Sequence, residues 1–207
     1  MVPVIGFVGF IGSGKGAAGD ILVEKGYKHE SFANGVKDVV STMFKWPRHL
    51  LEGNTQASRE WREEPNEYWS EKFGRPFTPR EALQKMGTEV GRDIFHEDFW
   101  VFQLEKRISY HDDAIVITDV RFPNEIEWIR SIGGKVYEIQ RGNNPNWYKL
   151  LAATCPTKDR DYRWSMMNDY GVHPSEWSWI GCPIDGKIKN DGTIEDLTNL
   201  LNFVIID

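Results

Sequence analysis

The sequence predicts an α/β protein, built as a three-layer sandwich around a central, mainly parallel sheet. An apolar run over residues 4–8 comes directly before a glycine-rich loop and a helix-competent segment. A second apolar run, rich in β-branched residues, covers 114–118, and a further strand-like segment covers 135–139 after a helical stretch. Short continuous apolar runs that alternate with helical patterns are typical of buried parallel strands in such a sandwich.

The glycine-rich loop predicts a phosphate-binding site. Residues 9–15 match the pattern G-x-x-x-x-G-K, between a strand and a helix. Such glycines let backbone N–H groups converge on phosphate oxygens, and the helix N-terminus adds positive potential. We therefore predict a P-loop NTPase fold, with Lys15 reaching the β- and γ-phosphates of a bound nucleotide. The expected nucleotide-binding residues are Gly12, Ser13, Gly14, Lys15, Gly16 and Ala17.

The loop departs from the usual pattern at its last position. A Ser or Thr normally stands there and offers a hydroxyl to Mg²⁺, but this chain has Gly16, followed by Ala17. Magnesium would then be held by phosphates, water and a carboxylate from elsewhere in the chain. The departure keeps open a second hypothesis, a module that binds nucleotide without catalysis.

Composition limits the class of protein. The chain has 207 residues, with 40% hydrophobic and 27% charged, which predicts a single globular α/β domain. The net charge of −6 argues against a general binder of nucleic-acid polymers. With two cysteines, no signal-peptide pattern and no apolar run long enough to span a membrane, we expect a cytoplasmic protein without a membrane partner.

Along the chain, a short strand over 28–32 and a helix over 34–44 are expected after the first helix. Residues 45–78 are polar and contain three prolines, which predicts an insertion of irregular helices. Lys37 and Arg59 lie in these two segments. From spacing alone, the simpler interpretation is a solvated helix face for Lys37 and an ion-paired helix face for Arg59.

A clear helix start follows at Thr78, a good N-cap, with Pro79 in the first turn and Glu81 placed to complete a capping box. On a helical wheel the apolar residues of this helix fall on one side. Each of the two glycines in the helix interior costs about 1 kcal/mol of helix stability relative to alanine, so their presence needs a reason. We interpret them as positions where a ligand approaches the backbone closely, and close packing against another helix is the alternative. The presumed ligand face holds Arg80, Gln84, Gly87, Thr88 and Gly91.

An amphipathic helix is expected from Asp98 to about residue 110, and its Trp100 has two open interpretations, stacking on a base or filling the core. The strand over 114–118 ends at Asp119, with Arg121 close behind. Ligands of open parallel sheets bind at the carboxyl ends of strands, so both side chains are predicted in the phosphate site, with Asp119 at the magnesium shell. A structural Asp–Arg pair is the alternative.

The last third of the chain predicts a helix through residue 132, a strand over 135–139 that ends near Arg141, and a closing strand and helix over 187–190 and 193–203. Residues 142–186 lack clean periodicity. A segment of that length between core elements is more often a functional lid than an idle loop.

Taken together, several motifs resemble the deoxynucleoside monophosphate kinases of phages. They are the glycine-rich loop, 32–38, 58–63, the L-Q-x-x-G-T-E-x-G-R order within 80–92, the T-D-V-R-F-P-N-E run at 118–125, and 190–193. The resemblance implies a P-loop kinase that transfers a phosphoryl group from ATP, with Mg²⁺, to a deoxynucleoside 5′-monophosphate. It also implies a homodimer and, for a phage-encoded chain, the host cytoplasm.

The resemblance also implies roles for individual residues. The acceptor nucleotide would be contacted by Lys37, Arg59, Arg80 and Arg121, with Gly87, Thr88 and Trp100 as walls and Asp119 and Glu125 beside them. Lys15, Arg121 and Asp119 would be catalytic, while Arg141 and the 173–176 stretch would lie on the lid side over ATP. A kinase for another small acceptor, such as dephospho-coenzyme A, is the remaining alternative within the same chemistry.

Overall fold

The computed structural model describes residues 3–110, 112–156 and 158–206. The chain divides into two compact units. One, termed here the sheet unit, comprises Met1–Ser31 and His111–Asp207. The other, termed the helical unit, comprises Phe32–Tyr110.

Five described strands form the sheet of the sheet unit, in the order β2-β3-β1-β4-β5, and every neighbouring pair is parallel. In the central strand, Ile5 pairs with Val116 on one side and with Lys135 on the other. The predicted parallel sheet is thereby confirmed. The strands are β1 (Val4–Val8), β2 (Lys28–Glu30), β3 (Ile115–Ile117), β4 (Lys135–Gln140) and β5 (Gly186–Lys189).

Helices cover both faces of this sheet, so the predicted three-layer sandwich is confirmed. On one face, α1 (Lys15–Glu24) and α10 (Ile194–Leu201) pack against strand residues such as Phe7 and Ile139, which are buried. On the other face lies α7 (Pro123–Ser131). A Cβ at Gly6 would lie 2.7 Å from Ile129 Cδ1, so only glycine lets α7 approach β1 this closely.

The segment 142–186 belongs to the sheet unit and carries short helices. They are α8 (Tyr148–Ala152), α9 (Arg160–Asn168) and a 3₁₀ turn (Pro174–Glu176). A closing π-helical stretch, Asn202–Ile206, follows α10. None of the described helices is long and apolar enough to cross a membrane.

The helical unit has its own core, which contains Val40, Trp46, Leu51, Phe77 and Trp100. This core is largely aromatic, which accounts for part of the high tryptophan content. The helices are α2 (Ala33–Phe44), a 3₁₀ turn (Arg48–Leu51), α3 (Gln56–Glu63), α4 (Glu67–Phe73), α5 (Pro79–Lys85), a π-helical continuation (Met86–Phe95) and α6 (Phe99–Ile108).

The start of α5 is where the sequence places it, but its cap differs from the predicted box. The Thr78 hydroxyl accepts a hydrogen bond from the Glu81 amide at 3.1 Å, as expected of an N-cap. The Glu81 carboxylate does not complete the box, since it pairs with the guanidinium of Arg75 at 2.6 Å. A nearby arginine offers a charged partner that the N-cap amide cannot match.

Candidate functional site

The glycine-rich loop joins the end of β1 to the first residue of α1. Its Gly9, Gly12 and Gly14 have φ angles of 140°, 78° and 100°, which L-residues with a side chain rarely adopt. Gly14 also lies against Asn190, because a Cβ there would meet Asn190 Nδ2 at 2.1 Å. Asn190 Nδ2 donates to the Ser13 carbonyl at 2.9 Å and so holds the loop from the end of β5.

Lys15 stands at the start of α1 and folds back over the loop. Its Nζ donates to the Gly9 carbonyl at 2.6 Å and to the Phe10 carbonyl at 2.9 Å. Burial, reinforced by the positive charge of Arg121, lowers the pKa of Lys15 to about 8, against the opposite effect of Glu176 and Asp119. Because burial and Arg121 disfavour its positive charge, Lys15 is stabilised as a cation when an anion binds beside it.

The loop borders a cleft of about 320 Å³, termed here the phosphate cleft. Arg121, between β3 and α7, also lines this cleft. Its Nη1 donates to Ser175 Oγ at 3.2 Å and lies 3.5 Å from Glu176 Oε1. The structure thus brings the predicted Lys15 and Arg121 to one cavity. The cleft is lined by Gly9, Ile11, Gly12, Gly14, Lys15, Gly16, Thr118, Arg121, Ser175 and Glu176.

Asp119 follows β3 at the same edge of the sheet, and its carboxylate accepts a hydrogen bond from Ser31 Oγ at 2.7 Å. Among the described residues, no group of three or more His, Cys, Asp or Glu side chains is placed to hold a metal ion. Magnesium usually keeps several waters and binds through one or two carboxylates plus substrate phosphates. One carboxylate beside a phosphate-binding loop fits that chemistry, whereas a metal cage made only of protein ligands does not.

Glu125, which the resemblance implies beside the acceptor nucleotide, lies in the first turn of α7. Its side chain is buried, with 2% exposed, and its Oε2 accepts from the backbone amides of Arg121 at 2.7 Å and Phe122 at 3.0 Å. It caps the N-terminus of α7. The structure therefore favours a role in fixing the backbone of Arg121 over direct contact with substrate.

Arg141, predicted on the nucleotide side, directly follows β4 and is exposed. It is not among the residues that line the phosphate cleft. Ser13, Ala17 and Asp119 also lie outside that lining, although Ser13 is buried within the loop itself.

Three of the four basic residues predicted to contact the acceptor lie in the helical unit, and each of the three has a local partner. Lys37 Nζ pairs with Glu52 Oε2 at 2.7 Å. Arg59 donates from Nε to the Gly53 carbonyl at 3.1 Å. Arg80 pairs through Nε with Glu63, and both side chains are largely exposed. Lys37 is thus ion-paired rather than solvated, and Arg59 donates to backbone carbonyls rather than to a carboxylate.

Trp100 and the two glycines of the predicted ligand face pack against each other. The indole is 3% exposed and its Nε1 donates to the Gly87 carbonyl at 2.8 Å. A Cβ at Gly91 would lie 2.4 Å from Trp100 Nε1. The structure therefore favours packing at Gly91 and a core role for Trp100, while Thr88 is half-buried nearby.

Sequence reasoning missed two features of the site. Thr118 lines the phosphate cleft, and its hydroxyl lies 2.8 Å from His29 Nε2 in β2. Phe10, inside the loop, packs edge-on against Trp147 and Trp179 at centroid distances of 5.6 and 5.4 Å. The signal that could have identified Thr118 is its position at the carboxyl end of β3. No local pattern links Phe10 to rings more than a hundred positions away.

Comparison with known proteins finds a family model, two relatives and a solved structure. A family model described as deoxynucleotide monophosphate kinase matches residues 53–149. A relative from Acanthamoeba polyphaga mimivirus, named for the same activity, is 31% identical over 151 residues, which is 67% of this chain and 74% of the relative. The deoxynucleoside-5′-monophosphate kinase of Escherichia phage T5 is 54% identical over 54 residues, 26% of this chain and 22% of the phage protein. A solved structure, TT1252 of Thermus thermophilus, matches with a TM-score of 0.47 and 15% identity over 99% of this chain and 97% of that one.

Proposed function

Because the chain belongs to the deoxynucleotide monophosphate kinase family, we propose that it transfers the γ-phosphoryl group of ATP to a deoxynucleoside 5′-monophosphate, giving the diphosphate. The observation that carries this proposal is the phosphate cleft, where a glycine-rich loop at a helix N-terminus meets Lys15 and Arg121. Bare backbone amides and two cations together form a site for polyphosphate.

This reaction asks for alignment and charge neutralisation rather than covalent catalysis. The acceptor phosphate is already a nucleophile, so the γ-phosphorus forms one new P–O bond to it while the bond to the β-phosphate oxygen breaks. Lys15 balances negative charge on the β- and γ-phosphates, and Arg121 binds the phosphoryl group in transfer through its planar fork. Both roles follow from their common cleft.

On the acceptor side, we assign Lys37, Arg59 and Arg80 to the deoxynucleoside monophosphate. Each is held by a carboxylate or a backbone carbonyl that a phosphate group can replace. Exposed ion pairs such as that of Arg80 contribute about 0–1 kcal/mol, so exchanging Glu63 for a phosphate costs little. Thr88 and Gly87 are assigned to the wall of that nucleotide.

The cofactor of this reaction is Mg²⁺, which supplies charge neutralisation between the phosphates when it is bound. We assign Asp119 to hold it together with phosphate oxygens and water, because Gly16 offers no hydroxyl. Ser31, which donates to the Asp119 carboxylate, keeps that side chain oriented. A homodimer and the host cytoplasm remain predictions from the resemblance.

The experiment that tests the function is an ADP-release assay with ATP, Mg²⁺ and each of the four common deoxynucleoside monophosphates. We expect ADP only when an acceptor is present, and none with Lys15→Met, which keeps an unbranched side chain one atom shorter but removes its charge. Release of ADP at the same rate with and without acceptors would contradict the proposal. Turnover only with dephospho-coenzyme A would assign a different acceptor, and ATP binding by calorimetry without product would indicate a non-catalytic module.

A further inference from the structure

A buried arginine lies behind the phosphate cleft. Arg163, on α9, is 1% exposed, although its guanidinium carries a positive charge. Among the described residues no carboxylate forms an ion pair with it, and its Nη1 has no hydrogen-bond partner. A buried cation without a counter-ion is costly, so the contacts that it does make require an explanation.

Those contacts go to one short segment of backbone. Arg163 Nη2 donates to the carbonyls of Trp177 at 3.2 Å, Ser178 at 3.4 Å and Ile180 at 2.8 Å. Its guanidinium carbon also lies 5.6 Å from the centroid of the Trp177 ring. Several carbonyl dipoles that converge on one cation stabilise its charge and fix the curvature of the chain that carries them.

The residues directly before this backbone segment line the phosphate cleft. They belong to the 174–176 turn, where Ser175 Oγ and Glu176 Oε1 accept hydrogen bonds from Arg121. The turn and the residues held by Arg163 together form the 174–180 segment. Hydrogen bonds tie the turn to the residues held by Arg163: Ser178 Oγ donates to the Pro174 carbonyl at 2.8 Å, and Trp179 Nε1 donates to the Glu176 carbonyl at 3.1 Å. A displacement of residues 177–180 would therefore displace the partners of Arg121.

We infer that Arg163 is a positioning residue, which acts through the 174–180 segment to hold the guanidinium of Arg121 in the phosphate cleft. It does not line the cleft itself. A structural role alone would need neither a charge nor three carbonyl acceptors, since an apolar side chain of similar volume fills a core at less cost. This inference rests on the proposed role of Arg121 in phosphoryl transfer.

The first test measures the segment directly. In Arg163→Lys, which keeps the charge but loses the planar fork, we expect backbone amides of residues 172–181 to exchange hydrogen for deuterium faster, with exchange in β1 and β4 unchanged. Arg160→Met, on the same helix but exposed, is the matched control and should leave both regions unchanged. Unchanged exchange over 172–181 in Arg163→Lys would overturn the inference.

The second test is a double-mutant cycle on turnover. We expect Arg163→Lys to lower kcat about tenfold in the otherwise unchanged protein and less than about twofold in an Arg121→Ala background, because its effect passes through Arg121. A role in general stability would lower the active fraction equally in both backgrounds, and equal losses would overturn the inference. If the unchanged protein releases no ADP with any acceptor, the proposed function fails, and the exchange experiment still tests the hold of Arg163 on the segment.

Discussion

At the level of single residues, the surroundings of Lys15 disfavour the protonated, positively charged form of its side chain. Its pKa is lowered to about 8 by burial first and by Arg121 second. A bound phosphate favours the cation and raises this pKa again. The site is therefore prepared for an anion by a charge that water would otherwise solvate.

The first prediction follows from this linkage. Since the protonated form binds phosphate, we expect the Kd for ATP to be nearly constant below about pH 7 and to rise, by up to about tenfold per pH unit, above about pH 8, because binding must then take up a proton. Calorimetry across that range measures it. In Lys15→Arg the guanidinium stays charged, so the rise should vanish, and an equal rise in both proteins would contradict the assignment.

Gly16 is the second residue whose chemistry can be tested. A Cβ at this position would have no heavy atom within 4 Å, and its φ lies outside the left-handed region. We expect Gly16→Ser to fit and to supply the hydroxyl that the loop lacks. The Mg²⁺ concentration for half-maximal turnover should fall roughly tenfold, equivalent to about 1.4 kcal/mol.

The control is Gly16→Ala, which gains the same Cβ, and about 1 kcal/mol of helix propensity over glycine, without an oxygen ligand. Titration of Mg²⁺ at fixed ATP distinguishes the two variants. If both shift the Mg²⁺ requirement equally, the hydroxyl is irrelevant and the metal is held without this position.

At the level of secondary structure, the helix that starts at Pro79 changes its winding at Met86. From there to Phe95 the backbone is π-helical, so each residue advances by a smaller angle than the 100° of an α-helix. The helical wheel assumed 100° per residue. It therefore gives wrong angular positions for Gly87, Thr88 and Gly91, which lie in the π-helical part. The wider turns bring Gly91 under the indole of Trp100.

The third prediction separates packing from ligand contact on this element. We expect Gly91→Ala to lower the free energy of unfolding by about 2 kcal/mol, because the new methyl group overlaps the rigid, buried indole at 2.4 Å. Gly87→Ala is the matched control, since its Cβ would lie 3.7 Å from Val36, an ordinary contact. Urea unfolding measures both variants. Unchanged stability of Gly91→Ala with a raised KM for the acceptor would favour the ligand interpretation instead.

At the level of the whole molecule, the chain divides its candidate site residues between two units. The loop, Lys15, Asp119 and Arg121 belong to the sheet unit, while Lys37, Arg59 and Arg80 belong to the helical unit. Substitutions in the sheet unit and in the helical unit should therefore affect the binding of different substrates in the proposed reaction.

The fourth prediction uses this division. We expect Arg80→Ala to lower kcat/KM for the acceptor by about 2 kcal/mol, roughly thirtyfold, with the KM for ATP nearly unchanged. Steady-state kinetics with each substrate varied in turn measures this. Arg75→Ala is the control, because Arg75 is also an exposed, ion-paired arginine of the helical unit. An equal loss in the KM for ATP would place Arg80 on the other nucleotide.

The sequence by itself determined the features that depend on neighbouring residues. The strand before the glycine-rich loop, the N-cap at Thr78 and the buried strand that precedes Asp119 are encoded by local patterns, because backbone geometry and burial period act over a few residues. The resemblance in motif order added the family, since several weak motifs in one order are specific together.

Only the tertiary structure decided which distant side chains meet. Arg121 reaches Ser175, 54 positions away, and Arg163 holds carbonyls that no periodicity connects to it. Tryptophan and glutamate are residue types that could equally well contact a ligand. In the structure, however, Trp100 donates to the Gly87 carbonyl within the core, and Glu125 accepts from backbone amides at the start of a helix. Burial and pairing at such positions are set by the whole fold, because the free energy of a polar group depends on partners that the local sequence does not contain.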